Sequence, residues 1–164
     1  MSDQEQALAV IRSVVEQSGI EHEDGAREGE LVLTLPGEKK LKTVVSCVVG
    51  QRDLSVSAFV IRNADENHEE FYRFLLRRNL RMPLLGYSID ASGDVYVGGR
   101  IPLRAVTPAL FDQLLGVLLD AADGPFNELL LIGFRSSMQK EWDWRVARGE
   151  SLRNLEAFRS VLEH

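Results

Sequence analysis

The side chains able to do chemistry are few and scattered. His22, His68 and His164 stand far apart, each in a charged stretch or at the terminus. His68-Glu69-Glu70-Phe71-Tyr72 opens like the helix of a zinc protease, where two imidazoles one turn apart share a face. Here Tyr72 takes the second histidine's place. A first-turn surface histidine accounts for the segment better than a ligand does. Asp90-Ala91-Ser92-Gly93-Asp94 puts two carboxylates on one turn, but its glycine is misplaced for a calcium loop and no bidentate glutamate follows at the required distance. It reads as a hairpin connection. Gly98-Gly99 follows a strand without a spaced glycine series, a lysine-serine or lysine-threonine pair, or a helix start, so phosphates have no cradle. Cys47, the only cysteine, lies in the apolar run Val44 to Val49 with no neighbouring base, the setting of a buried structural thiol. The expectation is a chain with no catalytic residue, no cofactor and no bound metal.

Two groups could still carry a site. Tyr96, Arg100 and His68 are the polar side chains around which a small-ligand or enzyme pocket would be built, if a concave site brought them together. Arg73, Arg77, Arg78 and Arg81, with Phe71, Tyr72 and Phe74 nearby, form the best basic patch for nucleic acid. Phe71 and Phe74, however, fall on the apolar face the helix needs for folding. The arginines also match a solvated helix C-terminus, so the structural account is preferred. A net charge of −6 further repels phosphate backbones, which makes nucleic acid an unlikely partner.

Composition narrows the setting. The chain of 164 residues suits one domain with its own core, and its 45% apolar and 27% charged residues are ordinary for a globular protein. The longest apolar runs, Leu114 to Leu119 and Leu129 to Phe134, fall far short of the roughly 20 residues that span a bilayer. No membrane span is expected. The first residues lack a basic leader and apolar stretch, and a lone cysteine suits a reducing compartment, so a cytoplasmic location is expected.

The elements that would position these groups follow from periodicity. Ala7, Leu8, Ile11, Val14 and Val15 fall at helical spacing before Ser18-Gly19. The charged stretch Glu21 to Glu30 predicts an exposed, mobile connection. Leu31 to Leu35, Leu41 to Val49 and Leu54 to Ile61 predict an antiparallel meander. Asn67, with Glu70 three residues on, predicts a capped second helix to Asn79, acidic at its start and basic at its end. Two strands follow, near Leu84 to Ile89 and Asp94 to Val97. Thr107-Pro108 caps and starts a third helix running toward Ala122. Asp123-Gly124-Pro125 breaks the chain, Phe126 to Arg148 reads as largely helical, and Ser151 begins a last amphipathic helix.

The third helix is apolar round most of its circumference, so something beyond one sheet face must cover it: the C-terminal helices or the same helix of a second subunit. Trp142 and Trp144, two positions apart, point about 200° from each other on a helix, so one of them can be exposed. Leu114, Leu115, Leu118, Leu119, Trp142 and Trp144 are therefore the candidate dimer or partner surface.

Glu66 to Asn79, Gly93 to Leu103, Lys140 to Arg145 and Arg148 to Leu152 resemble the YbjN domain family, the last two in its actinobacterial members. The similarity runs from about Leu31 to the end. The resemblance implies a fold similar to class I type III secretion chaperones, which commonly dimerise and hold an extended segment of another protein. Family members are described as sensory-transduction or stress-related regulators, and no catalytic residue carries over. The helix after Gly149 departs from the compact chaperone pattern and could cover its binding surface.

The expected fold class is α+β: an antiparallel sheet in the order helix, three strands, helix, two strands, helix, with extra C-terminal helices. The expected organisation is one YbjN-like domain over 1–164, with 149–164 a C-terminal helical extension. The expected function is a homodimeric, non-catalytic adaptor or chaperone-like regulator for a segment of a cytoplasmic partner protein. The alternatives are the small-ligand sensor or enzyme and the nucleic-acid regulator above.

Overall fold

The computed structural model describes residues 1–163. The chain opens with helix α1 (Asp3–Gln17), and Ser2 and Glu5 close a capping box at its start. Ser2 Oγ accepts the Glu5 N–H at 3.1 Å, and Glu5 Oε2 accepts the Ser2 N–H at 3.0 Å. Strands β1 (Glu21–Asp24), β2 (Glu30–Pro36), β3 (Lys42–Val49) and β4 (Asp53–Ile61) follow, then α2 (His68–Asn79), β5 (Gly86–Ile89) and β6 (Val95–Pro102). A single turn of 3-10 helix leads into α3 (Pro108–Asp123), α4 (Phe126–Gly133) and α5 (Arg135–Arg148). A 3-10 segment, Arg153–Phe158, and the short α6 (Arg159–Leu162) complete the chain.

The six strands form one antiparallel sheet in the order β1-β2-β3-β4-β6-β5, so the fold is α+β. The alternation of apolar residues sends Leu31, Leu33, Val45, Cys47, Leu54, Val56, Val95 and Val97 to one face, where they are buried beneath the helices. The opposite face, with Ser46, Ser55, Ser57, Phe59, Tyr96 and Arg100, is left uncovered or half-covered. A smaller cluster of Met138, Trp142, Phe158 and Leu162 joins α5 to the C-terminal segment, and Leu130 touches both clusters.

Three local expectations are corrected. The stretch expected as a loop contains β1, whose four residues are all exposed. It is held by backbone pairing to β2, which leaves no trace in the hydrophobic pattern. Asn67 does not cap α2; it sits at φ 53°, and its Nδ2 donates to the carbonyl of Ile132 at 3.1 Å. The run Phe126 to Arg148 is largely helical, as expected, with a single break after Gly133. The Gly133 carbonyl accepts the N–H groups of Asp65 and Glu66 at 3.0 and 3.2 Å, and a Cβ there would lie 2.8 Å from that of Ala64. The final helix is mostly 3-10, with one α-turn at Arg159–Leu162.

Candidate binding groove

Helix α2 places Phe71 and Leu75 in the core and is tied to the sheet edge by Asn79, while α4 supports its other flank. Helix α3 starts cleanly because Thr107 Oγ1 accepts the Leu110 N–H at 3.1 Å and Pro108 lacks an amide that would need a partner. It then lays Phe111, Leu114, Leu118 and Ala122 on the sheet and α1. Between α2 and α3 lies a groove of about 1110 Å³. Phe74, Met82, Val117, Ala121 and Ile132 give it an apolar floor. Arg73, Arg77 and Arg81, four residues apart, mark the α2 side; Asp112, Gly116 and Asp120, at the same spacing, mark the α3 side.

The charges on these rims are unequally occupied. Arg73 pairs with Glu69 at 2.7 Å. Arg78 reaches the Tyr87 hydroxyl from Nε at 3.4 Å and approaches Asp120 at 4.0 Å. Among the described residues, the guanidinium groups of Arg77 and Arg81 have no ion pair or side-chain hydrogen bond, and both residues are exposed. The Tyr87 hydroxyl donates to the Ala121 carbonyl at 2.7 Å beneath the groove. Burial raises its pKa, and Arg78 opposes that shift. The groove therefore offers apolar area, cations and carboxylates, without a nucleophile held against a base. Such a lining can bind through apolar burial and charge.

A second cavity of about 470 Å³ lies where α4, α5 and Leu155 meet the end of β4. Its one lysine is already engaged. Lys40 Nζ donates to the carbonyls of Phe59 and Val60 at 3.1 and 2.9 Å and lies within 5.6 Å of the Phe59 and Phe126 ring centroids. Burial lowers its pKa, and the charge of Asp123 opposes that.

The residues singled out from sequence are dispersed. Leu114 and Leu118 are fully buried and Leu115 is 6% exposed, so these three belong to the subunit's own core rather than to an outward surface. Leu119 is half-buried. Trp142 is 4% exposed beneath the C-terminal segment, with Arg159 5.3 Å from its ring, whereas Trp144 is 45% exposed beside Arg148. Tyr96 stands on the open sheet face, edge-on to Phe59 at 5.6 Å; Arg100 lies on the same face and His68 in the first turn of α2, and none of the three lines either of these two cavities. Cys47 is fully buried, and burial together with the Glu30 charge pushes its thiol up to about 12. Among the described residues, no group of three or more histidine, cysteine or acidic side chains is placed to hold a metal ion. Sequence reasoning found the arginines of α2 but missed Leu80, Met82, Gly116, Val117 and Ile132. Only the four-residue spacing of Arg73, Arg77 and Arg81 could have pointed to a rim.

Residues 7–131, which take in α2, α3 and the whole sheet, match the family YbjN, described as "Putative bacterial sensory transduction regulator". The chain belongs to the YbjN family. Two relatives, both uncharacterized proteins, come from mycobacteria. The YbjN chain is 45% identical to that of Mycobacterium leprae over 161 residues, covering 96% of this chain and 88% of the relative. It is 46% identical to that of Mycobacterium tuberculosis over 153 residues, covering 91% and 84%. Among solved structures, the ExsC-ExsE complex aligns with a TM-score of 0.59 at 18% identity, over 79% of this chain and 97% of that one. The Yersinia pestis type III secretion chaperone SycH, solved with a fragment of YscM2, aligns with a TM-score of 0.50 at 16% identity, over 71% and 96%. This YbjN chain thus has the type III secretion chaperone fold, with α5 and α6 beyond the family match. No helix among the described residues is long and apolar enough to cross a membrane.

Proposed function

We propose that this YbjN protein is a non-catalytic adaptor, working as a homodimer in the cytoplasm, that holds a segment of a partner protein in the groove between α2 and α3. The groove itself carries the reading: an apolar floor framed by exposed arginines and carboxylates suits a polypeptide, for which hydrophobic burial supplies affinity and rim charges supply register. Two proteins of similar fold were solved bound to another polypeptide, which supports the same use of this scaffold. For self-association, the exposed side chain of Leu76 on the outer side of α2 supplies an apolar contact separate from the core leucines and from the groove lining.

The test is a photo-crosslinking amino acid placed at Val117, in the groove, and separately at Ser57, on the open sheet face, in the protein expressed in its native host. Recovery of one protein crosslinked from Val117 and not from Ser57 supports the reading. Adducts from Ser57 alone, or none from either position, would sink it.

A further inference from the structure

We infer that the segment taken up by the groove is an α-helix with carboxylates along one flank, not an extended strand. This deepens the proposed function and rests on the groove being the site.

Both edges of the sheet disfavour strand addition. At one edge, β1 is four exposed residues, Glu21-His22-Glu23-Asp24, whose carboxylates discourage another strand. At the other, the side-chain amide of Asn79 occupies both backbone polar groups of Tyr87 on β5. The two long walls of the groove are the helices α2 and α3, whose own backbone groups are paired within each helix, and only residues 80–83 add non-helical backbone to the lining. An extended segment laid along the helices would find mostly side chains and water for its amides. A helix arrives with its backbone already paired and needs only side-chain contacts.

Gly116 supplies an independent observation. It lies in the interior of α3, where glycine is less stable than alanine, and a Cβ built on it meets nothing within 4 Å. The fold of the single chain therefore gives no reason for glycine at this position. Bare backbone on a groove rim lets a second helix approach closely. Asp112 and Asp120, one turn to either side, and Arg73, Arg77 and Arg81 across the groove then set the charge pattern of the occupant. Acidic residues on one flank meet the arginines, and basic residues on the other meet the aspartates.

The test uses three labelled peptides of about 15 residues, roughly four helical turns. The first has a leucine-alanine stripe flanked by glutamate on one side and lysine on the other. The second has the same composition interrupted by a central proline, and the third replaces every glutamate by lysine. Fluorescence anisotropy with the full chain is expected to show the first binding at least about tenfold tighter than the other two. Arg77→Glu with Arg81→Glu should reverse the preference between the first and third, and Gly116→Leu should weaken the first while thermal unfolding shows the protein still folded. Equal binding of the proline-interrupted peptide would overturn the helix while leaving the groove as a site. Unchanged affinity in Gly116→Leu would overturn close helix packing over α3, and displacement of the peptide by single-stranded RNA at equal concentration would overturn it in favour of a polyanion site. Failure of all three peptides overturns this inference, and the Val117 crosslink then decides separately whether the groove binds protein at all.

Discussion

Asn79 stands in for a missing neighbour strand at Tyr87: its Oδ1 accepts the Tyr87 N–H at 2.7 Å, and its Nδ2 donates to the Tyr87 carbonyl at 3.4 Å. The last residue of α2 thus both ties that helix to the sheet and blocks the outer edge of β5. Substituting Asn79→Ala leaves these two backbone groups without a protein partner and is expected to destabilise the fold by about 1–3 kcal/mol. Denaturant unfolding should record that loss, and light scattering should record new association through the uncovered edge. An unchanged midpoint with no scattering would show that the edge does not need the amide.

Asp123 ties the turn between β2 and β3 to the end of α3. Its carboxylate accepts the N–H groups of Glu38, Lys39 and Lys40 at 3.2, 3.1 and 2.8 Å. Burial pushes the Asp123 pKa up, but the three amides outweigh it and hold the group below the usual carboxylate range. Ser46 and Arg27 likewise hold Glu30 at about 2. A lowered folded-state pKa adds stability above the unfolded value, about 3.9 for aspartate, and that stability fades as pH falls through the folded value. Acid unfolding should therefore steepen between about pH 4 and pH 2. Asp123→Asn, which turns an NH₂ toward amide donors, should lose about 1–3 kcal/mol at neutral pH and show a shallower acid limb. An unaltered pH profile in that variant would rule out this assignment.

Trp142 reports whether the C-terminal segment is seated. Phe158 and Leu162 cover it, each worth about 1.5–3 kcal/mol when fully buried. With Trp144→Phe as background, removing the chain after Gly149 should shift the fluorescence emission to longer wavelength and admit iodide quenching. An unshifted spectrum would mean that α4 and α5 protect the indole unaided.

Self-association should depend on the outer side of α2. Leu76 is 65% exposed and does not line the groove, so Leu76→Glu changes no core contact and leaves the groove lining as it is. Light scattering after size exclusion should give a dimer for the unaltered chain and a monomer for the variant, with closely similar unfolding temperatures. A monomeric unaltered chain at tens of micromolar would refute the dimer.

Where local pattern and tertiary environment agree, the elements were legible in the sequence. The spacing of Ile11, Val14 and Val15 marks α1, alternation through Leu54, Val56, Ala58 and Val60 marks β4, and Thr107-Pro108 marks the start of α3. The opposed directions of Trp142 and Trp144 likewise follow from helix geometry, and burial of one with exposure of the other agrees with it. Period and capping act over a few residues, so a single chain carries them in full. Pairing of β1 was invisible because backbone amides carry no residue-specific signal, and the break at Gly133 was invisible because the amides that capture its carbonyl come from Asp65 and Glu66.

The groove was not legible for the same reason. Phe74, Met82, Val117 and Ile132 converge from separate parts of the chain, and no local pattern records that α2 and α3 stand apart on one sheet face. The apolar excess of α3 showed that Leu114, Leu115 and Leu118 must be covered. Whether the cover is a second subunit or the chain itself depends on how the other elements pack, and here the sheet and α1 supply it. Short-range periodicity in the sequence was enough for the α+β class and for the order of the elements other than β1 and the break between α4 and α5. Tertiary structure alone decided which apolar residues became core and which cations were left facing a groove, because burial is a property of the packed whole.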